Sequence, residues 1–154
     1  MSSPTFRLAS PFFQPEGFLL PRDTAQGENV SPKLDWVHPP EGTRSYVLIM
    51  EHRNGAETHC AHWIQFDIPG CLRRLPEGHP AGIAATNDFG SAGYHGPCPP
   101  AGVDHQFEFA LYALDVETLR LPPQATRNQV QRAMRGHVLG IARLVAHYEG
   151  MACV

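Results

Sequence analysis

The stretch HWIQFDIP, residues 62–69, alternates apolar and polar side chains, and this alternation decides the fold class. A period of two residues is the pattern of a strand that buries one face. The predicted faces are His62, Ile64, Phe66 and Ile68 on one side, and Trp63, Gln65 and Asp67 on the other. Residues 62–69 are therefore predicted to form a β-strand with one face in the core.

Two further segments predict strands. SYVLIM, residues 45–50, is a continuous apolar run of the kind found in a central strand, and HQFEFALYALD, residues 105–115, begins with the same alternation as residues 62–69. Residues 69–104 are rich in glycine and proline, which predicts long loops carried on a rigid scaffold. Thr126 is a candidate N-cap of a helix that ends at Gly136. Residues 137–148 fit either a helix or a helix that turns into a last strand, so both remain open.

Length and composition indicate one mainly β domain, residues 1–154, with a small helical C-terminus. The net charge of −3 argues against a general affinity for nucleic acid or for an anionic membrane. The first 21 residues contain no apolar run long enough for a signal peptide or a membrane span, so a cytoplasmic location is expected. No two cysteines form a CxxC pair, and free thiols are expected in a reducing compartment. These are Cys60, Cys71, Cys98 and Cys153.

Each of the three predicted strands carries one titratable residue at the end of an apolar face. Glu51 shares parity with Val47 and Ile49, and the same reasoning places His62 and His105 at the ends of their strands. If these faces line one core, Glu51, His62 and His105 converge at one rim. Buried titratable groups need partners or mark a site, so this rim is the candidate site. The alternative is that each histidine is an ordinary core or rim residue with a backbone partner.

A stiff loop precedes the third strand. Pro97, Pro99 and Pro100 have no N–H, so Cys98 is the one backbone donor of this run, with Gly96 just before it. Prolines that fix φ can hold one or two N–H groups in a set direction, and that arrangement suits an anion. Gly96 is also expected to let the backbone come close to a ligand.

Five motifs follow one another at characteristic spacing: SPKLDW (31–36), HW followed by IP (62–69), TNDFGSAGYHGPCPPAG (86–102), FALYALD (109–115) and GHVLG (136–140). Together, from about residue 6 to residue 148, they resemble the phosphatidylethanolamine-binding protein family in its small bacterial, Raf-kinase-inhibitor-like form. The resemblance implies a β-sandwich-like domain with two antiparallel-rich sheets and few helices. It also implies an oxyanion pocket with His62 and His105 as its histidines and Gly96–Pro100 as its loop.

Two departures from the family pattern bear on the ligand. The family's Asp-Pro-Asp-Ala-Pro box corresponds here to residues 51–55, so Glu51 is interpreted as the replacement of the first aspartate and Arg53 of the second. Arg53 is expected to point to solvent, because arginine is rarely buried. The family's His-Arg-Tyr is here His105-Gln106-Phe107, which removes a hydroxyl from the predicted pocket.

The leading functional hypothesis is a non-enzymatic protein that binds a phosphate- or carboxylate-bearing ligand and needs no cofactor. Its predicted ligand-binding residues are His62, His105, Glu51, Gly96, Cys98, Pro99, Pro100 and Phe107. A second hypothesis, which the resemblance suggests, is a regulatory inhibitor of a protein kinase or peptidase. A third is a hydrolase or isomerase that uses His62 and His105 as acid and base. The resemblance also suggests a homodimer as one assembly state.

Three weaker alternatives complete the interpretation. His59 and His62 are three residues apart and could hold a metal, but no second ligand pair accompanies them, so no metal site is predicted. Cys98 could be a nucleophile, although a run of prolines is an unusual setting for one. The arginines near the C-terminus are expected to face solvent, with a partner-binding surface as the alternative. They are Arg127, Arg132, Arg135 and Arg143.

Overall fold

The structure, a computed structural model, describes residues 4–25, 27–53, 60–97 and 104–149. Its elements in chain order are β1 (Arg7–Ala9), a 3-10 turn (Pro21–Asp23), β2 (Leu34–Val37), β3 (Ser45–His52), β4 (Cys60–Pro69), β5 (Arg74–Leu75), β6 (Ile83–Ala84), β7 (Asp104–Leu114), α1 (Arg127–Met134) and β8 (Val138–Glu149). All strand pairs among these elements are antiparallel. The mainly β class is confirmed.

The strands form two sheets. The smaller sheet has the order β1-β2-β5, and the larger has the order β6-β4-β3-β7-β8. The larger sheet is covered on both faces. One face packs against the smaller sheet through the inter-sheet core, which includes Trp36, Tyr46, Trp63 and Phe109. Covering both faces explains why SYVLIM in β3 is apolar without alternation, because both sets of its side chains are buried.

The other face of the larger sheet packs against α1 and the segment before it. We call this second cluster the helix-side core; it includes Val47, Ile49, Ile64, Phe66 and Val130. α1 begins with a capping box, because the Thr126 side chain accepts from the Gln129 N–H and the Gln129 side chain accepts from the Thr126 N–H. The predicted helix and its N-cap are confirmed.

The C-terminal segment after α1 is a strand. Gly136 has a φ of 80°, which reverses the chain, and β8 then pairs with β7 along its whole length, from Leu114 opposite Val138 to Asp104 opposite Glu149. For residues 137–148 the helix alternative is therefore wrong, and the last strand of the other alternative is present but begins already at Val138, with no helix before it in this segment. Within the described residues, no helix has the length and apolar character needed to cross a membrane. Cys60 and Cys71 are free thiols, as expected.

The two faces of β4 are not those that simple alternation predicts. Trp63 and Ile68 lie in the inter-sheet core, whereas Ile64 and Phe66 lie in the helix-side core. The cause is two irregularities in the pairing of β3 with β4, between Tyr46 and Leu48 and between Met50 and Glu51. Each inserts an extra residue into β4 and exchanges its two faces. The prediction that His62, Ile64, Phe66 and Ile68 share one face is therefore wrong.

Candidate functional site

Two histidines meet where β3 ends and β7 begins. Because β3 and β7 are antiparallel, His52 at the end of one strand lies opposite Phe107, two residues after His105 at the start of the other. The His52 Nε2 atom is 2.7 Å from the His105 Nδ1 atom, and the ring centroids are 4.8 Å apart. One ring therefore donates a hydrogen bond to the other.

A third histidine, His62, lies at the second irregularity of β4. Met50 pairs with Trp63 and Glu51 pairs with Ala61, so His62 is the extra residue. Its ring lies 6.2 Å from the ring of His52 and 5.9 Å from that of His95. The His62 Nδ1–H donates to the His95 carbonyl over 2.7 Å, and the His95 N–H donates to the His62 carbonyl over 2.9 Å. The first of these bonds fixes the neutral tautomer of His62 with its proton on Nδ1, and the second holds the two backbones together.

Two phenylalanines frame the histidine cluster, by which we mean His52, His62, His95 and His105. Phe107 stacks on His52 with ring centroids 4.9 Å apart and meets His62 edge-on at 5.4 Å. Phe89 stacks on His95 at 3.9 Å and meets His62 at 4.8 Å. Phe107 is buried, whereas Phe89 is half exposed at the outer side. Apolar rings thus surround the imidazoles, which lowers the local polarity.

Burial keeps two of these imidazoles neutral. It lowers the pKa of His62 to about 4, although the bond to the His95 carbonyl opposes the change. Burial also lowers the pKa of His52, and the neighbouring His105 adds to the effect. The Nε2 atom of His105 is buried and has no hydrogen-bond partner in the described part of the chain. A buried imidazole nitrogen without a partner is costly, which makes the His105 Nε2 atom the candidate contact for a ligand atom in this cluster.

The lowered pKa of His62 gives a direct prediction. In an NMR titration of the histidine ring protons, one resonance should have its midpoint near pH 4, about two units below an ordinary histidine. Because the unfolded chain binds this proton more tightly, the stability due to neutral His62 is present above about pH 6.5 and is lost as the pH falls toward 4. Absence of that resonance in the His62→Gln variant assigns it. A His62 midpoint near 6.5 would contradict the burial of the ring.

Glu51 does not join the histidines. Its carboxylate lies 2.7 Å from the Arg127 guanidinium of α1, on the helix-side face that it shares with Val47 and Ile49. The prediction that Glu51 converges with His62 and His105 is therefore wrong, and His52, the next residue along β3, lies against His105 instead. Arg53 points outward as expected, with its guanidinium 2.5 Å from the Glu108 carboxylate.

The glycine-proline loop is described only up to Pro97. The Gly96 N–H donates to the Asn29 side chain over 2.7 Å. It is therefore engaged within the protein, and the prediction that it is a donor to a ligand beside the histidines is wrong. A Cβ at Gly96 would lie 2.6 Å from that Asn29 oxygen and 2.8 Å from backbone atoms of Thr24 and Ala25, so the glycine serves the close packing of the loop on these residues. The predictions for Cys98, Pro99, Pro100 and His59 fall outside the described residues.

Sequence patterns indicated His62, His105 and Phe107 but missed His52, His95 and Phe89. The available signal for His52 was its parity with Tyr46, Leu48 and Met50, which line the inter-sheet core. Val47 and Ile49 are also apolar, however, so β3 offered two equivalent faces. His95 and Phe89 lie outside regular strands and carry no periodic signal. In residues 4–25, 27–53, 60–97 and 104–149, no group of three or more His, Cys, Asp or Glu side chains is arranged to hold a metal.

Comparison with known proteins places this fold and sequence in one family. The family model described as phosphatidylethanolamine-binding protein matches residues 9–149. A UPF0098 protein of Aquifex aeolicus is 41% identical over 133 residues, which cover 82% of this chain and 78% of the relative. The UPF0098 protein YbhB of Escherichia coli is 33% identical over 132 residues, covering 79% of this chain and 83% of YbhB.

Solved structures agree with the sequence comparison. A phosphatidylethanolamine-binding protein homologue of Chlamydia trachomatis superimposes with a TM-score of 0.89 at 30% identity and covers 97% of this chain and 100% of its own. YbcL of E. coli superimposes with a TM-score of 0.85 at 26% identity, covering 95% of this chain and 99% of YbcL. The chain thus belongs to the phosphatidylethanolamine-binding protein family.

Proposed function

We propose that this protein is a non-enzymatic, cytoplasmic binder of small oxyanions, with a phosphoryl or carboxylate group held at the histidine cluster. The observation that carries the proposal is the Nε2 atom of His105, which is buried without a hydrogen-bond partner among the described residues. The family membership supports a ligand with a phosphoryl group, because the family is named for binding a phospholipid.

The contact between His52 and His105 suits an anion. With no added proton, the pair holds one shared hydrogen between the rings and one hydrogen on an outer nitrogen, either His52 Nδ1 or His105 Nε2. An oxyanion selects the tautomer with the hydrogen on His105 Nε2, because that N–H then donates to it. If the pair takes up a proton, both outer nitrogens carry hydrogen, and His105 Nε2 becomes a charge-assisted donor.

His62 couples the binding of the anion to pH. Its Nδ1–H is committed to the His95 carbonyl, so in the neutral ring Nε2 is an acceptor and repels an anion. An anion beside this ring stabilises the imidazolium and raises the His62 pKa from about 4. Binding is therefore coupled to proton uptake, and affinity should decrease as the pH rises from 6 to 8. Two or three charge-assisted bonds, less the cost of association, give a dissociation constant on the order of micromolar to millimolar.

Replacing His105 with alanine tests the site. His105→Ala should weaken the binding of inorganic phosphate by about tenfold or more, the equivalent of about 1.4 kcal/mol, because it removes the unpartnered donor and the partner of His52. The measurement is a phosphate titration of the histidine ring protons by NMR at pH 6 and pH 8. His79→Ala is the matched control, since His79 is exposed in a loop. Equal phosphate affinity in His105→Ala and the parent protein would reject the site.

A second experiment tests the non-enzymatic character. The parent protein should leave a chromogenic phosphate ester such as p-nitrophenyl phosphate unchanged over hours at pH 6 and pH 8. Hydrolysis that disappears in the His62→Ala variant would instead indicate acid–base chemistry at the histidine cluster. Binding without turnover is the result that the proposal requires.

A further inference from the structure

Arg127 connects the start of α1 to the end of β3 and to Asp88, which lies in the loop after β6. Its Nη2 atom lies 2.7 Å from a carboxylate oxygen of Glu51, near the end of β3, and its Nη1 atom lies 3.0 Å from a carboxylate oxygen of Asp88. The Arg127 side chain is only 22% exposed, which sets it apart from the solvent-facing arginine that the sequence suggested. A planar guanidinium can bind two carboxylates at once, which an ammonium on a flexible stem cannot do with the same geometry.

Asp88 in turn holds β4 at its second irregularity, because it is hydrogen-bonded to both the N–H and the carbonyl of Ala61. The carboxylate oxygen that contacts Arg127 also accepts from the Ala61 N–H over 2.7 Å, and the Asp88 N–H donates to the Ala61 carbonyl over 2.9 Å. Ala61 immediately precedes His62 and pairs with Glu51. Both carboxylate residues that Arg127 bridges are therefore connected to Ala61, Asp88 by hydrogen bonds and Glu51 by strand pairing. Because Ala61 precedes His62, its position sets the direction of the His62 backbone.

The residue after Asp88 covers the histidines. Phe89 stacks on His95 with an interplanar angle of 6° and meets the ring of His62. The turn that presents Phe89 is closed by Asn87, whose side-chain oxygen accepts from the N–H groups of Phe89 and Ser91. Displacement of Asp88 would thus move both the backbone before His62 and the aromatic ring that excludes water from it.

We propose that Arg127 is a positioning residue that fixes the orientation and burial of His62 from the opposite face of the sheet. It acts through Asp88 and Glu51 and does not touch the histidine cluster itself. The effect on His62 is independent of the function proposed above, and only its consequence for phosphate affinity depends on that function. The guanidinium is also largely shielded from water, so its contacts with the two carboxylates are screened less by solvent than those of a surface ion pair.

The His62 pKa is the readout that separates positioning from general stability. In Arg127→Gln, the loosened Asp88 turn should admit water to His62, and burial is the largest cause of its low pKa. Loss of the guanidinium also leaves the charge of Asp88 less neutralised, and that charge raises the pKa of His62. Both changes have the same sign, so the His62 midpoint should rise by about one unit or more toward 6.5 in an NMR titration.

Arg127→Lys distinguishes geometry from charge and serves if the glutamine variant does not fold. Lysine keeps the charge but cannot bridge both carboxylates, so His62 should titrate closer to the Arg127→Gln value than to that of the parent protein. Arg143→Gln is the matched control. Arg143 lies 3.4 Å from Glu108 on β7, outside the Asp88 network, and the His62 midpoint should not move.

The outcomes separate the two proposals. An unchanged His62 midpoint in a folded Arg127→Gln or Arg127→Lys protein would overturn the positioning role, whatever the phosphate affinity. A raised midpoint in a protein that does not bind phosphate would support the positioning role and reject the proposed anion site. If both proposals hold, Arg127→Gln should bind phosphate with a weaker pH dependence between pH 6 and pH 8, because His62 then accepts its proton more readily.

Discussion

Replacing Asp23 with asparagine should raise the free energy of unfolding at pH 8 by about 2–4 kcal/mol and change it little near pH 4. Asp23 ends the 3-10 turn and is fully buried, and as a carboxylate it has no hydrogen-bond donor among the described residues. Burial raises its pKa from 3.8 to about 7, and a side-chain hydrogen bond with Glu77 and the charge of Glu77 add to the effect. Arg22, whose Nε atom lies 3.0 Å from Glu77, offsets only part of this effect.

The sign follows from proton linkage. The folded protein binds the Asp23 proton more tightly than the unfolded chain does, so the stability due to protonated Asp23 is present below about pH 4 and is lost as the pH rises to 7. At pH 8 the folded state contains a buried carboxylate without a hydrogen-bond donor, and the neutral amide of asparagine removes that cost. The charges near Asp23 are Arg22, Glu28 and Glu77.

Urea unfolding of both proteins at pH 4 and pH 8 measures the effect. Asp35→Asn, at a half-buried aspartate of β2, is the control and should not show the same dependence on pH. A gain of equal size at both pH values would indicate a general effect of the amide. A loss of stability at pH 8 would mean that the Asp23 carboxylate has a stabilising partner, and that result would contradict its raised pKa.

Asp23 and the histidine cluster act on stability in opposite directions. Protonation of Asp23 favours the folded state at low pH, whereas neutral His62 and His52 favour it at higher pH, because burial lowers their pKa values. Both effects act over nearly the same range, between about pH 4 and pH 7, so they offset each other there. Asp23→Asn removes one of them, and the free energy of unfolding should then rise more steeply with pH across this range.

The strand pattern predicted the fold class because β-strands are encoded locally. β7 alternates from its first residues, and the apolar run of β3 marks a strand that is buried on both faces. The capping box at Thr126 is also local, and it predicted α1 correctly. What local pattern could not predict is which neighbour each strand face meets, because that depends on the pairing of residues distant in the chain.

The errors at the site have the same origin. The two irregularities in the pairing of β4 exchange its faces, and alternation alone cannot show an inserted residue. The first of them spans Asp67, whose φ of 53° departs from strand geometry, and the second involves His62. One residue of offset at the end of β3 likewise separates Glu51, which contacts α1, from His52, which contacts His105. When the site residues of a family are assigned to this sequence by spacing alone, the assignment carries the same uncertainty of one residue.

Phe107→Ala should lower the free energy of unfolding by about 3–5 kcal/mol, the range found when a buried phenylalanine is truncated. Phe107 is 1% exposed and lies in the inter-sheet core, where its ring stacks on His52 and meets His62 edge-on. The alanine leaves a cavity beneath both imidazoles. Phe18→Ala is the matched control, because Phe18 is 60% exposed and its loss should cost less than about 1 kcal/mol.

The same variant connects the core to the histidine cluster. Water that enters the cavity of Phe107→Ala stabilises the imidazolium, so the pKa of His62 should rise from about 4. Urea unfolding gives the stability, and an NMR titration of the folded variant gives the pKa. Equal costs for Phe107→Ala and Phe18→Ala would show that the ring is not a core residue. A large loss of stability with no change in the His62 pKa would show that Phe107 does not exclude water from that imidazole.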